Sequence, residues 1–133
     1  MKISSKGRYA VRIMAEIAKH NKPVSVSEIA EKQNITIKYT EQIISKLTSN
    51  GMLNSFRGTL GGYTLSKKPS EYTISSILEV TGDAPKVAPC LQSTTTCPRI
   101  KECETISVWE NLNKLIFDYL SSVTLEDVLN KKI

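Results

Sequence analysis

Cys90, Cys97 and Cys103 are the three cysteines of the chain, spaced C-x6-C-x5-C on one segment stiffened by Pro89 and Pro98. Thiolates are soft ligands, and a group of them on one segment suits an iron–sulfur cluster or zinc. Structural zinc sites draw on cysteine pairs two residues apart, because two ligands on one turn fix the bite. No such pair occurs here, which argues against zinc. A cluster is a larger object that a widely spaced loop can wrap, although three thiolates are one short of the usual four ligands. A thiol-based redox switch is the other chemistry open to these residues, and an inert set remains open as well. An odd number of cysteines cannot all be paired, which speaks against a disulfide framework.

A second constellation is polar and basic. Lys38, Tyr39, Glu41 and Gln42 fall within one short stretch, and Arg57 stands beside Gly58, Gly61 and Gly62. Gln can pair with adenine, Glu can accept from the cytosine amino group, and Lys can donate to guanine or phosphate. An arginine suits a narrow minor groove, where negative potential concentrates. Glycines beside it let the backbone approach DNA closely. Lys6, Arg8 and Arg12 add positive charge near the start, where they serve either phosphate contact or a solvated face.

These side chains need a frame. Ser25-Val26-Ser27-Glu28 reads as a capping box opening a short helix that Gln33-Asn34 stops. Thr36 is placed to cap the next helix, whose inward residues at helical spacing are Ile37, Thr40, Ile43, Ile44 and Leu47. Gly51 sits where a left-handed C-terminal cap belongs. Two helices joined by about four residues form a helix-turn-helix. Strand, glycine-bearing turn and strand over residues 52–65 then predict a hairpin wing. Before this unit, Ala10, Ile13, Met14, Ile17 and Ala18 define one face of a first helix ending near His20. That lone histidine reads as a helix-end charge or an exposed side chain rather than a ligand.

After the wing, residues 72–80 predict a short helix capped by Thr73 and ended by Gly82. Residues 83–103 predict an irregular loop with three prolines, a Ser-Thr-Thr-Thr run and all three cysteines, and such long loops usually carry function or are disordered. Residues 104–121 predict the longest helix, with two apolar seams. One is Ile106, Trp109, Asn113, Ile116 and Leu120; the other is Val108, Leu112, Leu115 and Tyr119. Two seams imply two neighbours, the chain's own body and a partner subunit, and the first seam is the candidate dimer interface. Thr124 opens a last capped helix. The architecture expected is mainly α with a small β wing: a winged helix-turn-helix over 1–72, and a dimerisation region with the cysteine loop over 73–133, in one compact domain.

Charge supports this division. Residues 1–70 carry twelve Lys or Arg against four Asp or Glu, and residues 71–133 carry six against nine. A basic half coinciding with a helix-turn-helix is the footprint of phosphate contacts. No apolar run nears a membrane span and no leader is evident, so a cytoplasmic protein is expected. One histidine, with no Ser/His/Asp set or paired carboxylates, argues against an enzyme.

Lys2-Ile3-Ser4-Ser5-Lys6-Gly7-Arg8-Tyr9-Ala10, the Tyr39-Thr40-Glu41-Gln42 segment, Arg57-Gly58…Gly61-Gly62-Tyr63 and the triple-cysteine loop together resemble the Rrf2 family of bacterial winged-helix transcription regulators. The likeness runs over nearly the whole chain. Within the family the cysteine loop is similar to those of the iron–sulfur cluster assembly regulator, the nearer branch, and of the nitric-oxide-sensing repressor. The resemblance implies a homodimer built on the long helix, reading a roughly palindromic duplex operator. The implied DNA contacts are Lys38, Tyr39, Glu41, Gln42 and Arg57, beside which Lys6, Arg8, Ser25, Gly58, Gly61 and Gly62 stand as further candidates from the residues themselves. It also implies that Cys90, Cys97 and Cys103 hold an iron–sulfur cluster, taken as [2Fe–2S].

Two departures from the family pattern stand out. The first cysteine gap is six residues rather than five. The assembly regulator's histidine, three residues past its last cysteine, is Ile106 here, and the acidic ligand of the nitric-oxide sensor falls at Arg8. Glu102, Glu104 or an exogenous thiol would have to complete the set. The alternatives are a cofactor-free regulator sensing redox or a partner enzyme of cysteine metabolism, and an iron–sulfur electron carrier, which a basic chain suits poorly.

Overall fold

The computed structural model describes residues 2–92 and 97–133. The Ser-Thr-Thr-Thr run of the cysteine loop lies outside them. Six α-helices and one hairpin follow in order: α1 (Ser5–Ala18), α2 (Val26–Gln33), α3 (Ile37–Ser49), β1 (Leu53–Phe56), β2 (Gly62–Leu65), α4 (Ile74–Val80), α5 (Ile106–Ser122) and α6 (Leu125–Leu129).

Local chemistry sets the helix ends. The hydroxyls of Ser4, Ser25, Thr36, Thr73 and Thr124 each accept from the backbone N–H three residues on, meeting donors that a helix start leaves free. Ser25 Oγ takes the Glu28 N–H at 3.2 Å and also pairs with Ser27 Oγ. The return bond expected from the Glu28 carboxylate is not among the hydrogen bonds of the described residues; the reciprocal box forms instead at Thr124 and Asp127. Asn34, at φ 53°, turns α2 into α3, and Gly51, at φ 75°, closes α3.

The apolar faces of α1, α2 and α3 meet in one core of Ala10, Ile13, Met14, Ile17, Val24, Ile29, Ile43, Ile44 and Leu47. Ile37, expected inside, is 52% exposed: it shares the helical face of Thr40 and Ile44 but stands at its open end, one residue past the cap. Tyr72, Ile77 and Leu125 belong to the same core, so the chain beyond the wing folds back onto the head. Backbone bonds Ile74 N–H to Val123 O and Leu125 N–H to Tyr72 O fasten that return.

The wing is an antiparallel pair with Leu53 opposite Leu65 and Phe56 opposite Gly62. Val24 joins it as a third rung by exchanging both backbone bonds with Tyr63, at 3.0 and 2.9 Å. A side chain at Gly62 would meet the Val24 carbonyl at 2.4 Å, so only glycine allows this approach. The base of the wing is tied by the Tyr72 hydroxyl. It donates to the Met52 carbonyl and accepts from the Lys67 N–H, each at 2.9 Å.

Helix α5 begins and ends one or two residues later than expected and contains no fully buried residue. Its first seam is turned inward, with Ile106, Asn113, Ile116 and Leu120 half-buried and Trp109 exposed. It packs on α4, where Ser121 Oγ donates to Ser75 Oγ at 2.9 Å. The second seam faces out: Val108, Leu115 and Tyr119 are 54, 67 and 56% exposed.

Candidate nucleic-acid interface and thiol loop

The start of α3 presents its polar residues because the opposite face is committed to the core. Thr40, Ile43, Ile44 and Leu47 are buried, leaving Lys38, Glu41 and Gln42 exposed with Ser45, Lys46 and Ser49 in the next turns. With Lys6 from α1 these line one open concavity of about 640 Å³. Three lysines against one glutamate make it net positive, as a phosphate-facing surface requires. Ser45, Lys46 and Ser49 extend the surface beyond the residues identified by type. Their signal in the sequence is the same i, i+3, i+4 spacing, continued one turn further.

The remaining candidates are dispersed around this surface. Tyr39 is half-buried, its ring meeting Tyr9 edge-on with centroids 5.8 Å apart. Arg57 and Gly58 are exposed in the five-residue loop between the wing strands, which the Gly61 N–H to Gly58 O bond closes at 3.0 Å. Gly62 is spent on the approach to Val24, and Ser25 on capping α2. Lys6 and Arg8 part company. Lys6 joins the α3 concavity, whereas Arg8 donates to Ser5 Oγ at 3.2 Å and borders a groove between α1 and α4 with Ile3, Val11, Ile74 and Leu78.

Arg12 is exposed but not free. It donates through Nε to Gln33 Oε1 at 3.0 Å and through Nη2 to the Gln33 carbonyl. Gln33 Nε2 donates in turn to Glu16 Oε2 at 2.8 Å. Glu16, 5% exposed, also meets Lys19 Nζ and His20 Nε2, each at 3.3 Å. Burial alone would raise the Glu16 pKa; the bonds from His20, Lys19 and Gln33 outweigh it and hold the carboxyl below the usual value. His20 is thus half-buried and engaged with Glu16 rather than exposed at a helix end.

The cysteine segment is less irregular than its composition predicts, with short 3₁₀ turns at Pro89–Leu91 and Ile100–Glu102. All three thiols are free and half-exposed. Cys103 Sγ lies 3.4 Å from Thr105 Oγ1, and hydrogen bonds from Thr105 hold its thiol pKa below the ordinary value. Among the described residues, no three Cys, His, Asp or Glu side chains stand close enough to share one metal ion.

Two bonds anchor the segment. At its start Asp83 Oδ2 accepts from the Ser4 N–H at 2.7 Å, at the opening of α1. Further on, the Val87 N–H donates to Asn113 Oδ1 on α5 at 3.2 Å. Gly7 makes the first possible: a side chain there would collide with Asp83 Oδ2 at 2.2 Å.

The Rrf2 family model, described as an iron-dependent transcriptional regulator, matches residues 3–131. The HTH-type transcriptional regulator IscR of Pectobacterium atrosepticum is 35% identical, over 99% of this chain and 81% of that protein. A putative HTH-type transcriptional regulator of Neisseria meningitidis is 38% identical, over 99% of this chain and 90% of its own length. Among solved structures, the global cysteine regulator CymR of B. subtilis superposes with a TM-score of 0.80 at 33% identity, covering 98% of each chain. T. potens IscR gives 0.78 at 34% identity, covering 100% of this chain and 89% of that one. A helix-turn-helix with a positive reading face and a glycine-built wing, matched over nearly its full length, places the chain in the Rrf2 family of DNA-binding transcription regulators.

Proposed function

We propose that this regulator is a homodimer whose affinity for a roughly palindromic operator is set by an iron–sulfur cluster, [2Fe–2S], held by Cys90, Cys97 and Cys103. The carrying observation is the double anchorage of the cysteine segment, to the start of α1 through Asp83 and to α5 through Asn113. A change in the segment's order therefore reaches both the DNA-reading head and the candidate dimer helix. The donor set fits, since three free soft thiols share one loop and hydrogen bonds from Thr105 lower the Cys103 thiol pKa. When bound, a cluster supplies a redox- and oxygen-sensitive crosslink among the three sulfurs. The chain's own residues do the rest: Asp83 holds the α1 N-terminus, and Lys6 follows it on the reading face.

Dimerisation is supported by the outward seam of α5. A helix with no fully buried residue and a row of exposed Val108, Leu112, Leu115 and Tyr119 has no neighbour on that side among the described residues. The interface we propose therefore centres on this seam, with Trp109 at its edge; Ile106, Asn113, Ile116 and Leu120 serve mainly the chain's own body. One reading head per subunit implies two half-sites related by the dimer axis.

The test is anaerobic purification with iron and sulfide analysis and a visible spectrum, followed by titration of a library-selected duplex with loaded and stripped protein. A coloured protein whose two forms differ in affinity by about five- to 150-fold is expected. Colourless, iron-free protein after reconstitution, or equal affinities, would sink the cluster reading. The half-exposed Cys103, with its lowered thiol pKa, and the likeness to CymR support a second reading, regulation by thiol oxidation without a cofactor. In that case a Cys103→Ser variant loses the response to oxidant with no iron present.

A further inference from the structure

Arg12 is fixed on three sides. Two hydrogen bonds to Gln33, the last residue of α2, set the plane of its guanidinium. Gln33 is itself held by the buried carboxylate of Glu16. The guanidinium carbon lies 5.0 Å from the centroid of the Tyr9 ring, and that ring meets the third residue of α3, Tyr39, at an interplanar angle of 78°. A continuous series of contacts thus runs from a carboxylate between α1 and α2 to the turn that carries Lys38, Glu41 and Gln42.

A planar cation held by two bonds stacks on an aromatic face in a way that a lysine ammonium cannot reproduce. With Tyr9 seated, the edge-on pair gives Tyr39 one resting place and the first turn of α3 one orientation. We propose that Arg12 and Gln33 are positioning residues for base reading: they hold Tyr9 against Tyr39, and Arg12 is not a phosphate contact. The inference rests on the family's DNA binding and is independent of the cluster.

Arg12→Lys, Arg12→Ala and Gln33→Ala would be titrated against two duplexes across a salt series. One duplex is enriched from a random library by the unaltered protein; the other has the same bases shuffled. Expected for all three variants is a loss of about two- to thirty-fold on the enriched duplex, with shuffled-duplex affinity and salt slope unchanged. A phosphate role predicts otherwise. Arg12→Lys would then behave like the unaltered protein, Gln33→Ala would be silent, and Arg12→Ala would weaken both duplexes and lower the salt slope by about one. That pattern, or no effect from any variant, overturns the proposal. Thermal unfolding separates a lost fold from lost positioning, and Gln33→Ala, which removes no charge, decides if an Arg12 variant does not fold. Failure of the unaltered protein to enrich any sequence removes base reading itself, a result distinct from variants that keep full discrimination.

Discussion

Glu16 shows how one buried charge can serve a DNA reader without touching DNA. Its carboxylate is shared by Lys19, His20 and Gln33, so removing the charge leaves several partners short. Glu16→Gln should cost about 1–3 kcal/mol of stability at neutral pH by chemical denaturation. The pH dependence follows from the lowered pKa: the unfolded chain binds more protons than the folded one as acid is added. This contribution is therefore present above the ordinary carboxylate value near 4.5 and lost as pH falls through the lower folded value. Unfolding temperature should fall more steeply below pH 4.5 in the unaltered protein than in Glu16→Gln. Arg57, by contrast, is exposed in the wing loop with its side chain free for a groove. Arg57→Ala should weaken binding to a selected duplex by about 1–3 kcal/mol at matched salt, leaving stability intact. The exposed placement of Arg57 and of Lys38, Glu41 and Gln42 on α3 was legible in sequence because residue type and local spacing specify it. The Glu16–Gln33–Arg12 set was not, since its members are 17 and 21 residues apart in contact pairs and no period links them.

Among the elements, the helices whose ends are capped by their own neighbours fell where the sequence placed them. A cap is a bond across three residues, readable in a window of four. The wing was equally legible, through its glycines, but its fastening by Tyr72 was not, because a tyrosine six residues past Ser66 and twenty past Met52 carries no local mark. Tyr72→Phe should leave the Lys67 N–H unpaired and cost about 1–2 kcal/mol, with protection from hydrogen exchange lost first at the wing base. For α5 periodicity gives two stripes of apolar residues and no rule for which meets the chain's own body. The structure supplies it: Asn113 turns inward to hold Val87, and Leu115 turns out. Leu115→Glu should shift sedimentation at micromolar concentration toward monomer, whereas an unchanged dimer would move the interface elsewhere.

At the scale of the whole molecule, the thiol segment and the reading head are joined by the short bond between Asp83 and Ser4. Asp83→Ala should leave the core intact yet reduce the difference in operator affinity between loaded and stripped protein. An undiminished difference would place the coupling in the helix pair instead. Another long-range closure is Leu125, fully buried among residues of the first 80. Deleting its side chain should cost about 2–5 kcal/mol, as for other core truncations. Because this leucine lies far downstream of α2 and α3, the helix-turn-helix is synthesised well before its core is complete. On the nascent chain the helix that carries Lys38, Glu41 and Gln42 is therefore made but not yet locked, and its core closes only once α6 has docked.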